Sequence, residues 1–270
     1  MSEFRPRRFD ILPLVIKILM IINGLVFLLQ LTMGEIQNPS ENHILTDLFA
    51  FHYWRSPLFK PHQLLTHLFM HASFWHLALN MITLWIFGAA LEHLWGHKRF
   101  LRFYLICGLG AALCYMGVIT YENIRLTTEV NTYLANPSYD NFRIISTHYD
   151  LVNAYNEELS FPDTPAKMEF AKMFLRGFQI ANRDMAFLGA SGAVFGLLFA
   201  FGYLFPNSYV YIYIPIKSKY IVGFLILAEL IVGIQNVPGD NVAHFAHLGG
   251  VLISYLLLRN WHRKGRHHFK

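Results

Sequence analysis

Four polar residues stand inside otherwise apolar stretches of this chain. Ser191 lies in Phe187-Leu188-Gly189-Ala190-Ser191-Gly192-Ala193-Val194-Phe195-Gly196, and His247 lies in Val242-Ala243-His244-Phe245-Ala246-His247-Leu248-Gly249-Gly250. His76 and Asn80 are four apart and so share one face of a helix. A serine and an imidazole suffice for acyl transfer when the ring accepts the hydroxyl proton. The tetrahedral oxyanion then needs donors already aimed at it. The side chains of His76 and Asn80, with the backbone N–H of Ser191, can supply them.

Each motif also has a plainer reading. Gly192 and Gly196 make a small-xxx-small face for helix packing, on which Ser191 is one more small residue. The G-x-S-x-G elbow of soluble hydrolases is not met, because Ala193 occupies its last position. His244 competes with His247 from one turn earlier. His67, His71 and His76 have a spacing compatible with zinc, and Glu92, His93 and His97 offer another donor set. No His-Glu-x-x-His motif is present.

The elements that must position these residues are membrane helices. Of the 270 residues 54% are hydrophobic and only 14% charged, with a mean hydropathy of +0.35. Soluble domains carry roughly a quarter charged residues. Disorder is excluded by an aromatic share of 16%. The net charge of +5 gathers at the ends and in one short internal stretch, which argues against a nucleic-acid surface. Cys107 and Cys114 are about 10 Å apart along a shared helix, too far to bridge.

Six apolar runs are expected to span: Ile11–Leu31, Phe74–Trp95, Phe100–Tyr121, Met185–Phe205, Tyr220–Ile234 and Val242–Leu258. The first is too long for a signal-peptide core, and no small-residue cleavage site follows it. Lys and Arg before span one, between spans two and three, between four and five, and after six all fall on one side. Both termini are therefore expected in the cytoplasm. The segments Thr32–His62, Glu122–Asp184 and Gln235–Asn241 fall on the other side. Residues 1–10 read as a cytoplasmic tail, 11–258 as a six-helix membrane domain with an extracytoplasmic insertion at about 122–184, and 259–270 as a basic tail. Within the insertion, helices are expected near Leu151–Leu159 and Pro165–Phe178, the second amphipathic and lying on the outer leaflet.

This topology connects the motifs. Spans two, four and six run the same way, and His76, Asn80, Ser191 and His247 each lie in the first third of their span. They share a depth, as members of one site must.

Together these residues resemble the rhomboid family of intramembrane serine proteases. The resemblance rests on His76-x-x-x-Asn80, Gly189-Ala190-Ser191-Gly192 and Ala246-His247-Leu248-Gly249-Gly250, and covers Leu64 to Leu258 apart from the insertion. It implies an all-α six-helix bundle and a catalytic pair, Ser191 and His247, with no acidic third member. It also implies an oxyanion hole from His76, Asn80 and the Ser191 backbone, with no cofactor and no metal. The implied substrates are single-pass membrane proteins cut in or near the bilayer. Two departures stand out. Pro61-His62-Gln63 occupies the place where many members carry Trp-Arg, while Trp54-Arg55 lies upstream, and Ser254 replaces a common glycine.

The expected protein is thus a multi-pass enzyme of a prokaryotic plasma membrane, with the turn Gln235–Asn241 as a movable cap. Its partners are membrane-protein substrates and the bilayer, not nucleic acid. The rival readings are a catalytically silent binder or chaperone of membrane helices, and a zinc-dependent membrane enzyme or transporter.

Overall fold

Serine, threonine, proline or glycine stands at the start of several helices in this chain. The computed structural model describes residues 11–36, 43–149, 151, 164–211, 214–235 and 243–265. Helix α1 (Leu14–Thr32) follows Pro13, and its first N–H groups are accepted by a residue far along the chain: Val15 and Ile16 donate to the two oxygens of Glu92 at 2.9 and 3.0 Å. A buried carboxylate at a helix N-terminus meets both unpaired donors and the positive end of the helix dipole. Glu92, a candidate metal donor by sequence, is instead the cap of α1.

Short helices α2 (Ile44–Phe49) and α3 (Gln63–Thr66) lead into a 3₁₀ turn at His67–Phe69. Gln63 pins this loop, donating to Asp47 O and Leu58 O and accepting the Lys60 N–H. It does so at the place where the resembled family often has Trp-Arg. Here that dipeptide lies upstream, with the Arg55 guanidinium 4.6 Å from the Trp54 ring centre.

Ser73 caps α4 (Phe74–Trp95) by accepting the His76 N–H at 3.1 Å. The helix ends at Gly96, whose φ of 75° suits glycine and turns the chain directly into α5 (His97–Ala135). Helix α6 (Tyr139–His148) is capped by Ser138, and α7 (Pro165–Arg183) by Thr164 with proline in its first turn. Then come α8 (Ser191–Leu204), a small antiparallel ribbon of β1 (Tyr209–Tyr211) and β2 (Pro215–Lys217), α9 (Ser218–Gln235) and α10 (His244–Gly265).

Among the described residues, α1, α4, α5 and α9 are long and apolar enough to cross a membrane, while α8 is a shorter apolar helix of 14 residues. Large apolar side chains such as Leu25, Leu79 and Phe224 face outward. A contiguous apolar exterior of this kind belongs in lipid, and the chain is a predominantly helical integral membrane protein.

The centre of the bundle is where α5, α8 and α10 meet. A Cβ on Gly192 would fall 2.6 Å from Ala111 Cβ, and one on Gly196 2.8 Å from Cys107 Cβ. A Cβ on Gly250 would lie 1.9 Å from the Gly192 carbonyl oxygen. The small residues therefore let three backbones approach to near contact. Ser254, buried in the same seam, donates to Gly196 O at 2.7 Å and so ties α8 to α10.

Two expectations change. The fourth apolar run is helical only from Ser191, because its first residues are extended: Phe187 and Phe51 exchange backbone hydrogen bonds at 2.7 and 2.8 Å. The third run continues as one helix to Ala135, 39 residues in all. That extension, with α6 and α7, builds a second apolar core from Leu126, Val130, Tyr133, Ile145, Ala171 and Leu175. Phe174 and Phe178 of α7 pack on this core, so part of its apolar face meets protein, while Phe170, Met173 and Ile180 stay exposed. The helix expected near Leu151–Leu159 lies, apart from Leu151, outside the described residues, as do the tail 1–10 and most of the turn Gln235–Asn241.

Candidate active site

Ser191 is the first residue of α8, and the backbone that delivers it is unusual. Gly189 has φ +127°, a conformation that strains any residue with a Cβ. Its N–H donates to His67 O at 2.9 Å, which fixes the approach of the strand-like segment to the helix. As a first-turn residue, Ser191 has no carbonyl one turn back to accept its N–H. The glycines that follow press α8 against α10, and this brings the hydroxyl to the first turn of the neighbouring helix.

There the Ser191 hydroxyl meets His247 Nε2 at 2.7 Å. The ring is buried and stacked on Phe195, with centroids 4.3 Å apart and planes within 7°. Its far nitrogen, Nδ1, donates to Glu229 Oε2 at 2.8 Å. A carboxylate only accepts, so this contact puts the ring proton on Nδ1 and leaves the Nε2 lone pair facing Ser191. His244, the competing histidine, points to the same carboxylate oxygen through its own Nδ1 at 2.6 Å.

His76 stands on the other side of the serine. A Cβ on Gly189 would lie 2.7 Å from His76 Cε1 and Nε2 and 3.7 Å from Ser191 Oγ, so the imidazole rests on the glycine beside the hydroxyl. Asn80 is buried one turn on, with its Nδ2 donating to His76 O at 2.9 Å. That leaves a second N–H on the same amide. All four residues singled out from the sequence therefore lie on first turns, or close to them, of α4, α8 and α10.

The upstream histidines hold the loop. His67 Nδ1 donates to Gln63 O at 2.8 Å, and burial pushes its pKa down to about 4. The backbone of His71 exchanges two hydrogen bonds with Gln30 of α1. Among the described residues, three ligand-type side chains come within 4.8 Å of one another at Glu229, His244 and His247, not at His67, His71 and His76.

Glu229 is the residue that sequence reasoning passed over. It is the one carboxylate in the run Tyr220–Ile234, and an ionisable group inside a span is itself a functional signal. The resemblance implied a serine–histidine pair with no acidic third member. Here an acid does reach the histidine.

The sequence model of the Rhomboid domain matches residues 52–127 and 171–263, more than half of the chain. The chain belongs to the rhomboid family. Rhomboid protein 1, mitochondrial, of Saccharomyces cerevisiae is 24% identical over 189 residues, covering 70% of this chain and 38% of that protein. RHOMBOID-like protein 12, mitochondrial, of Arabidopsis thaliana is 24% identical over 210 residues, covering 77% of this chain and 48% of its own length. The rhomboid chain described here thus spans less than half of either relative. Both relatives are mitochondrial by name, so they give no support to the expected prokaryotic plasma membrane. The break between the two matched segments, 128–170, falls in the tip of α5, α6 and the start of α7. The second apolar core is therefore largely an addition to the rhomboid domain.

Proposed function

We propose that this rhomboid is an intramembrane serine endopeptidase that cuts membrane-protein substrates in or near their transmembrane segments. The observation that carries the reading is the 2.7 Å contact between Ser191 Oγ and His247 Nε2, made inside a bundle whose exterior is apolar. His247 accepts the hydroxyl proton as Ser191 Oγ attacks the scissile carbonyl carbon. The oxyanion is taken up by the Ser191 N–H and by the side chains of His76 and Asn80. When the carbon–nitrogen bond breaks, His247 passes its proton to the leaving amine, and the acyl group stays on Ser191. Water then enters, gives a proton to His247 as its oxygen attacks the acyl carbon, and the Ser191 oxygen leaves with that proton from His247, which frees the new carboxyl end.

In this reading α1, α4, α5, α8, α9 and α10 are the six spans, and both termini lie in the cytoplasm. The basic segments next to α1, α4–α5, α8–α9 and α10 support that orientation. The site then opens to the side opposite the termini, where water can reach it. No cofactor is required by the chemistry.

The test is reconstitution with a fluorescent single-pass substrate, together with labelling by a fluorophosphonate. Wild type should cleave and label, and Ser191→Ala should do neither. Cleavage that survives Ser191→Ala would remove the serine mechanism. Absence of labelling in the wild type, with substrate helices still bound, would instead favour a silent rhomboid-like binder.

A further inference from the structure

We propose that Glu229 is a positioning residue for this chemistry, making the site a Ser191–His247–Glu229 triad held across three helices. The proposal rests on the protease reading above and adds an acid that the resembled pattern lacks. Glu229 lies about a turn and a half from the end of α9, and α9 runs antiparallel to α10, so its carboxylate arrives at the depth of the first turn of α10. A single oxygen, Oε2, accepts from His247 Nδ1 at 2.8 Å and from His244 Nδ1 at 2.6 Å. His244 thereby holds the carboxylate in place while the carboxylate holds His247.

Two consequences follow for the reaction. With Nδ1–H committed to the carboxylate, the imidazole can present only its Nε2 lone pair to the serine, which is the tautomer that accepts a proton. When the Ser191 proton moves to Nε2, the ring becomes an imidazolium beside a fixed negative charge in surroundings of low dielectric. The attraction grows as the transition state is approached, the condition for accelerating a reaction rather than tightening binding. The carboxylate takes up no proton at any step. Stacking on Phe195 fixes the ring plane, so the hydrogen bond to Glu229 sets the remaining rotation about the ring axis.

The experiment compares Glu229→Gln and Glu229→Asp in the full chain, reconstituted with a transmembrane substrate. Ser191 labelling is followed in parallel, and thermal unfolding checks folding. Glutamine keeps the shape but removes the charge, and its NH₂ group can force a ring to accept at Nδ1. The expected result is a fall in kcat of about 10²–10⁴-fold with KM little changed, by analogy with removal of the acid in soluble triads. Glu229→Asp retains the charge one methylene further back, and should recover at least about tenfold over Gln, as removal of one charged hydrogen bond is worth more than its misplacement. In a His247→Ala background Glu229→Gln should cost nothing further, because the acid acts only through the ring.

A folded Glu229→Gln protein with wild-type kcat would overturn the proposal. So would an Asp variant no better than Gln, or an equal loss in the His247→Ala background. Stoichiometric zinc that is bound by the wild type and lost in Glu229→Gln would also overturn it, since the carboxylate would then serve a metal. If Ser191→Ala still cleaves, the protease reading itself fails. If Ser191 is required and Glu229 is not, only this inference fails.

Discussion

At the scale of single residues, the site assigns different work to side chains of the same type. His247 Nε2 faces Ser191 whereas His244 Nδ1 faces Glu229, so replacing them should not be equivalent. His247→Ala is expected to reduce cleavage to a low residual rate, whereas His244→Ala should leave a clearly higher kcat, both read with the same fluorescent substrate. Asn80→Ala removes one oxyanion donor. With a donor worth about 2.7–4 kcal/mol at the upper end, the rate should fall by one or two powers of ten while Ser191 labelling persists at a reduced rate. Gly189→Ala puts a Cβ against the His76 ring in a conformation with φ +127°, and should lower kcat by displacing either the ring or the serine. Ser191, His247, His76 and Asn80 were legible in the sequence because each sits in a short pattern of glycines or of i, i+4 polar residues. Glu229 has no such pattern around it. One carboxylate in an apolar helix reveals a partner only when the crossing of α9 and α10 is known.

At the scale of elements, the seam between α8 and α10 decides the reach of the catalytic pair. Gly250→Ala would set a Cβ 1.9 Å from backbone, with no flexible side chain able to yield. The helices must separate, and both thermal stability and fluorophosphonate labelling should collapse together. Ser254→Gly is a milder test in the same seam. It restores the residue common in the resembled family and deletes the hydrogen bond to Gly196 O, for a loss of about 1 kcal/mol and near-normal cleavage. Glu92→Gln uncaps α1 and should lower the unfolding temperature without touching the site. The glycine pattern of this seam could be read from the sequence, since spacing by four suffices. The start of α8 could not. Met185–Ala190 is as apolar as a helix, and what makes it extended is a backbone partner, Phe51, far away in sequence. The length of α5 was hidden for the opposite reason: beyond Tyr121 its residues are too polar to look like a span, and α6 and α7 supply the packing that keeps them helical.

At the scale of the whole molecule, the bundle core, a cluster of Phe51, Tyr53, Ala112 and Ile119, and the core around Leu175 all draw residues from one continuous helix, α5. Among the described residues, the core around Leu175 shares no buried residue with the bundle core, so injury to it should stay local. Leu175→Ala is expected to cost about 2–5 kcal/mol there, seen as faster proteolysis between residues 122 and 184 while Ser191 still labels. Asp184, at the end of α7, ties this upper unit to the loop below by accepting from Arg183 and from Ser56 Oγ. The Arg183 hydrogen bond, with help from Ser56, holds the Asp184 carboxyl below its ordinary value. The tie is therefore complete above about pH 4 and weakens as pH falls through the lowered pKa. Acid should open the upper unit to protease, and Asp184→Asn should do so at neutral pH. Helix α5 is about 58 Å long against a hydrocarbon layer of about 30 Å, so roughly half of it stands clear of the lipid. In particle terms, a small membrane bundle that would look alike from most directions carries a mast rising from one of its central helices. Suspended in a nanodisc, the protein has a handle by which single images can be oriented.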